Sequence, residues 1–369
     1  MTKIYDFIVI GAGISACTFA SFLNRRFSDA SILLVEHGRR LGGRATTRKS
    51  RKNQIREFDH GLPSISFSQY VSQDILTVIS PLINSKKLVD ISKKILLMNK
   101  LGALNTAYTS ENIYRSLPFM INFCEEIINQ SNTPKKINFL FQTLIRSFKR
   151  INNVWEIQLE NGGFLESKNL ILSSSLLAHS RCLKILKTNS IPLRDAFIPG
   201  KDKIIDSLLK KTSKLTFIKR KIYIFYVSNF KLVKKFNHQY LQILFSNIIR
   251  EDLTYERIIF VRQIDGSMII ALHCSYLFDL LENNIDNIIQ SLVSLFRNHQ
   301  TFLDLLLCAR LVDIMNWRAS QPLNQLLPKE LQWSSSNKIG FCGDWFDMGS
   351  CSSVESAMNS SIRLAKLLK

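Results

Sequence analysis

Tyr5 to Ile10 (YDFIVI) is a short apolar run broken only by Asp6. Such a run predicts a strand buried on both faces, as in a parallel sheet. Apolar and small positions then recur at helical spacing through ISACTFASFLNRRF (Ile14 to Phe27). A second apolar run, SILLVE (Ser31 to Glu36), completes a strand–helix–strand unit. In the second half the pattern changes. KLTFIKRKIYIFYVS, YLQILFS, RIIFVRQ and SMIIALHCSY alternate partially, as strands with two unlike faces do. NNIDNIIQSLVSLFRNH reads as an amphipathic helix. Near Val354 a last helix starts, with Val354, Ala357, Ser361, Leu364, Ala365 and Leu368 at helical spacing.

The turns between these elements carry the chemistry. GAGISA follows the first strand directly, placing Gly11, Gly13 and Ala16 in a G-x-G-x-x-A pattern. Gly11 permits the tight turn, Gly13 lets backbone approach a pyrophosphate, and Ala16 keeps helix and strand close. The helix N-terminus then faces the phosphates. Glu36 ends the second strand 25 positions after Gly11 (36 minus 11), where a carboxylate reaches a ribose hydroxyl. An acid there favours a free 2′-hydroxyl, as in FAD or NAD.

A second loop, LGGRATT, follows. Gly42 and Gly43 give a backbone that passes close to a ring or phosphate, Arg44 can fork onto pyrophosphate oxygens, and Thr46 and Thr47 add hydroxyls. A nicotinamide dehydrogenase has no need of this loop, whereas a flavin extends past the second strand. REFDHGLPSISFS (Arg56 to Ser68) brings Asp59-His60-Gly61. At the far end, Gly343-Asp344 precedes the last helix. Ser352 and Glu355 have capping-box spacing. Ser356 and Ala357 leave room at its first turn, whose positive end suits the charge on a reduced flavin.

Composition adds less. The chain of 369 residues carries 49 Lys and Arg against 29 Asp and Glu, a formal charge of +20, which makes part of its surface positive. The basic residues come in short pairs such as Arg25-Arg26, Arg39-Arg40 and Lys135-Lys136, with no continuous tract. That argues against a nucleic-acid partner and leaves an anionic small molecule, an anionic membrane or simple compositional drift. The seven cysteines form no C-x-x-C pair, which predicts reduced thiols, a cytoplasmic setting and no metal site. No apolar run reaches the length of about 18 residues that a membrane span needs. The early segment FIVIGAGISACTFASFL has glycines inside and no cleavage site, so it reads as strand and turn, not as a signal peptide.

Taken together, VIGAGISA, VE, LGGRATT and FDHG resemble the FAD-dependent amine oxidase superfamily, and within it the renalase-like group most of all. NVWEIQLENG with NLILSSS is similar to that family's middle flavin-domain strands, and NWRASQP (Asn316 to Pro322) to the segment before its closing motif. Leu62 and Ser175 depart from the family pattern, which has a small residue and a proline there. The resemblance covers the first seventy residues and the last fifty-five well, and the middle in patches.

The resemblance implies an α/β fold: a discontinuous Rossmann-type FAD-binding domain (1–75, 116–180 and 331–369) and an α+β substrate domain (76–115 and 181–330) with a mainly antiparallel sheet. It implies non-covalent FAD held by Gly11, Gly13, Ala16, Glu36, Gly43, Arg44, Thr47, Asp59, Gly343, Asp344 and Val354. Asp344 would meet ribityl hydroxyls and the Ile145 backbone the adenine. Cys342 and Cys351 would be packing residues. On the substrate side it implies His273, Trp317 and Arg318, with Trp317 stacking on a ring and Arg318 pairing with a phosphate. The implied reaction oxidises a reduced nicotinamide dinucleotide, an isomeric dihydro-NAD(P), with oxygen as acceptor. A flavin amine oxidase or desaturase is the alternative enzyme. A basic flavin-stabilised binding protein for nucleic acid or membrane is the alternative of another class.

Overall fold

The computed structural model describes residues 3–49, 57–131, 137–275, 284–324, 326–349 and 352–368. Arg56, the Lys135-Lys136 pair and Cys351 lie outside them.

The strand Ile4–Ile10 sits inside an eight-stranded sheet, parallel to Ile32–Val35 on one side and Phe164–Leu172 on the other. Its side chains split between two cores, as a strand covered on both faces requires. Phe7 and Val9 pack with Ala16, Phe19 and Met358, while Ile8 packs with Trp155, Leu172 and Phe341. Ile145–Ile151 and Val154–Leu159 extend the sheet as an antiparallel hairpin. Ile339–Phe341 adds in parallel to Phe164–Leu172, so the end of the chain returns to this layer.

The helix Ile14–Arg26 buries Ser15, Ala16, Cys17, Ala20 and Ser21, and small residues let another helix come close. That neighbour is the closing helix, Ser353–Leu367, which buries Ser356, Ala357, Ser360 and Ser361. The Arg26 guanidinium donates to the carbonyls of Ala365 and Leu368 and so caps the closing helix. Ser356 and Ala357, expected to leave room for a bulky group, are thus buried in the helix layer, where Ser15 Oγ donates to Ala357 O at 3.5 Å.

A second sheet of seven strands is mainly antiparallel, in the order Arg310–Pro322, Phe217–Val227, Met268–Ser275, Tyr255–Arg262, Tyr240–Phe245, Ile95–Met98, Leu104–Thr106. Alternation gives it two apolar faces. Phe225, Phe260, Ile270 and Leu272 form one core with the helices Ile285–Leu295 and Gln300–Leu307. Ile224, Ile259, Ile269 and Ala271 form another with Phe58, from the first domain. The inner face is therefore a shared interface.

Packing moves the domain division set out above. The helix Gln73–Asn84 buries Ile75, Val78, Ile79 and Leu82 in the Rossmann core. Leu186, Leu193, Ile205 and Leu208 lie in the core on that sheet's other face. Residues 76–84 and 181–215 thus pack with the first sheet, because their apolar stripes find cover only there.

Candidate functional site

Three loops meet at the C-terminal ends of the parallel strands. Gly11 has φ +109°, and a Cβ there would run into Ser173 Oγ, so glycine is required twice over. Gly13 caps the Ile14–Arg26 helix with no side chain on its first N–H groups, which leaves backbone donors for a phosphate. Glu36 closes the other side: its carboxylate accepts from Ala12 N at 2.9 Å and Gly38 N at 2.6 Å.

The second loop lies directly on the first. Gly42 N donates to Ala12 O at 2.8 Å, and a Cβ on Gly43 would sit 3.1 Å from Gly13 Cα. The Gly42-Gly43 pair therefore serves loop-on-loop packing. Arg44, next in line, donates to Asp344 Oδ2 at 2.7 Å, joining two motifs 300 residues apart. Gly343 is fastened to the closing helix by Ser360, whose hydroxyl accepts from Gly343 N at 2.9 Å. Ser352 does cap that helix, accepting from Glu355 N at 3.1 Å. The reciprocal half of the expected capping box is absent. The Glu355 carboxylate instead accepts from Ser68 N at 2.8 Å and Ser68 Oγ at 3.0 Å, two donors where the box offers one. The Val354 side chain belongs to the Rossmann core.

Thr47 and Asp59 also depart from expectation. Thr47 Oγ1 donates to Asp59 Oδ1 at 2.6 Å, Met120 N donates to the same oxygen at 3.1 Å, and Arg115 pairs with Oδ2. Both side chains brace the domain junction through a buried arginine. Ile145 is buried at the start of its strand, while the preceding Thr143 N donates to Glu36 O at 3.0 Å.

The Asp59–Gly61 loop carries the substrate domain. A Cβ on Gly61 would strike the Arg44 carbonyl oxygen and come within 3.1 Å of the Trp317 ring. The Trp317 indole donates to His60 O at 2.8 Å and stacks on the His60 ring with centroids 5.6 Å apart. Arg318, its strand neighbour, is exposed, at a point where the ladder to the next strand shifts register. His273 is buried on the inner face. With Asp59, Gly61, Arg115, Ile259 and Ala271 it lines a narrow cleft between the domains. Burial pushes its pKa well below 6.5, and Arg257, Arg220 and His60 push the same way, so the ring is neutral at neutral pH.

Arg181 had no motif to announce it. It donates to Ser175 Oγ at 3.0 Å and lies over the Phe217 ring. Burial and the Arg44 charge lower its pKa to about 10, against the pull of Asp344, so it stays cationic. Its buried Nε has no hydrogen-bond partner among the described residues. Cys342 is buried and pushed up to about 12, chiefly by burial, and so is not a thiolate. Among the described residues no group of His, Cys, Asp and Glu could hold a metal ion, and no helix is long and apolar enough to cross a membrane.

A Rossmann-like dinucleotide-binding domain with a second, mainly antiparallel sheet closing over its loops is the class these features define. Residues 9–76 match the NAD(P)-binding Rossmann-like domain. The whole chain is similar to a protein from Exiguobacterium sp. 255-15 assigned as a protoporphyrinogen oxidase (10% identity, covering 100% of this chain and 99% of that one, TM-score 0.63). It is similar to a CLA-producing fatty acid isomerase from P. acnes (9% identity, 100% and 99% covered, TM-score 0.60). It is also similar to a flavoprotein/dehydrogenase from Cytophaga hutchinsonii (11% identity, 99% and 78% covered, TM-score 0.53). At these identities the likeness shows the fold. Among curated protein sequences nothing matches the chain.

Proposed function

We propose that the chain is a FAD-dependent oxidoreductase that holds its cofactor non-covalently. Its substrate would be a reduced nicotinamide dinucleotide, an isomeric dihydro-NAD(P) in the renalase manner, with oxygen as the final acceptor. One observation carries this reading. Arg44 and Asp344 pair beside the Gly13–Gly42 contact, so the first loop, the second loop and the closing segment converge on one place.

The residues present fit the cofactor. Glycines keep Cβ atoms out of the cradle at positions 11, 13 and 43. The orphaned Nε of Arg181 supplies a cation near Arg44 with a donor to spare. Gly11, Gly13, Ala16 and Glu36 would hold the adenosine end, with the Ile145 strand beside it. Arg44 and Arg181 would meet phosphate oxygens, and Asp344 the ribityl hydroxyls. A bound flavin supplies the hydride acceptor and the reaction with oxygen. The chain contributes position and dryness. Trp317 walls the entrance and neutral His273 orients a substrate by hydrogen bonding, without giving up a proton. A dihydropyridine donor needs no side-chain base, so placement and water exclusion carry the rate.

The cleft lining of Phe58, Ile259, Val261, Ile269 and Ala271 favours a second reading, an amine oxidase or desaturase with an apolar substrate. Anaerobic mixing with β-NAD(P)H, its isomers and a panel of amines separates them. Bleaching of the flavin by dihydro-NAD(P) species supports the first, and bleaching by amines alone overturns it. If no substrate bleaches the flavin while RNA or anionic vesicles bind with a steep salt dependence, the binding-protein alternative replaces both.

A further inference from the structure

The inner face of the second sheet carries a second opening. In one transverse row, Met315, Ile222, His273, Arg257, Leu244 and Leu97 stand opposite one another across six strands. Cross-strand partners share a face, so the row runs from beside Trp317, past His273, to Arg257 and beyond. There a cavity of about 420 Å³ opens, lined by Leu97, Leu244, Ser246, Asn247, Arg250 and Arg257. That size is within the usual range for small-molecule sites.

Two buried donors in this lining have nothing to bond. Arg257 Nε and Ser246 Oγ are both without a hydrogen-bond partner among the described residues. Ser246 begins the turn Asn247–Asp252 yet makes no capping bond there. The one acid in the lining, Glu256, is held by Arg220 at 2.6 Å and also faces Arg257, so with Arg250 the lining keeps a net positive charge. Buried polar groups are nearly always satisfied, so an orphaned guanidinium nitrogen and an orphaned hydroxyl on one cavity imply an acceptor from outside.

We propose that this cavity binds an oxyanion carried by the substrate, a phosphate or carboxylate that accepts hydrogen bonds from Arg257 and Ser246. The inference rests on the reading that the cleft at His273 holds the reacting end of that substrate. Adjacent strands lie roughly 5 Å apart, so the oxyanion would sit roughly 5–15 Å from His273 across the sheet. The substrate is then a long molecule with its anionic group well removed from the reacting ring. The phosphates of a dinucleotide and the carboxylate of a chain-like acid both meet that description.

Calorimetric titration of the full-length holoprotein with inorganic pyrophosphate, and separately with decanoate, tests this without turnover. A failed nicotinamide assay therefore leaves the test standing. The expected result is binding of one probe, weakened at least about tenfold by Arg257→Gln, less by Ser246→Ala, and largely kept by Arg257→Lys. The preferred probe identifies the oxyanion. Unchanged flavin spectrum and melting temperature in Arg257→Gln show that the variant is folded. If Arg257→Gln unfolds, loss in Ser246→Ala carries the same weight. Binding of neither probe by the wild type, or equal binding by all variants, overturns the proposal.

Discussion

The two walls of the interdomain cleft are made in different ways. The Rossmann wall is shaped by backbone: Gly11 with φ +109°, Gly43 with φ +53° against Gly13, and Gly61 against the Arg44 carbonyl. The sheet wall is shaped by side chains on paired strands, with His273, Arg257 and Trp317 set by a register that shifts beside Arg257 and Trp317. A backbone wall tolerates almost no added atom. A side-chain wall tolerates replacement and changes what it recognises. The first is expected to be brittle, the second tunable.

The most severe test of that contrast is Gly61→Ala. The new methyl group meets a backbone oxygen, which cannot rotate away, so we expect a loss of about 3 kcal/mol or more and failure to retain flavin, read by melting and absorbance. A small effect would show that the loop relaxes and that the wall is not brittle. Arg44→Met comes next. It breaks the bond to Asp344 and removes a phosphate partner, so flavin should be held about ten- to a hundredfold more weakly with the fold retained, measured by flavin titration.

What could be read in the chain follows the same line. Strand, G-x-G-x-x-A, helix, strand and Glu36 were legible because each follows from a short stretch whose backbone demands specific residues. Four of the seven strands of the second sheet were legible from alternation. The edge strand Arg310–Pro322 was seen only as a motif, because it is half exposed and its apolar rhythm is faint. The register shift just after Trp317 was not legible either, since it shows only in the pairing with the neighbouring strand. Arg181, Arg257 and Arg115 were not legible, since their meaning comes from contacts between distant segments. Glu355 was misread for that reason too: nothing local reveals that Ser68 lies in reach, 287 positions away.

On the sheet wall the effects are expected to be smaller. Trp317→Phe keeps a ring but loses the bond to His60 O, costing about 1 kcal/mol, seen as a lower melting temperature and a raised KM. Buried His273 stays neutral in the fold, while the unfolded chain takes up its proton below pH 6.5. Stability is then lost as pH falls through that value, by up to about 1.4 kcal/mol per pH unit. Denaturant melts of His273→Gln should show a shallower loss between pH 6.5 and 5. An unchanged slope would mean that His273 titrates normally. Arg318→Ala should change stability by no more than about 0.5 kcal/mol, as suits an exposed side chain, read by denaturant melts.

The central claim is that loops from both ends of the chain build one flavin site. The direct measurement is the small molecule released when the purified protein is denatured. The account predicts one FAD per chain, freed without proteolysis, and its loss from the Gly61→Ala variant. A colourless protein that takes up no FAD when the cofactor is supplied would contradict it.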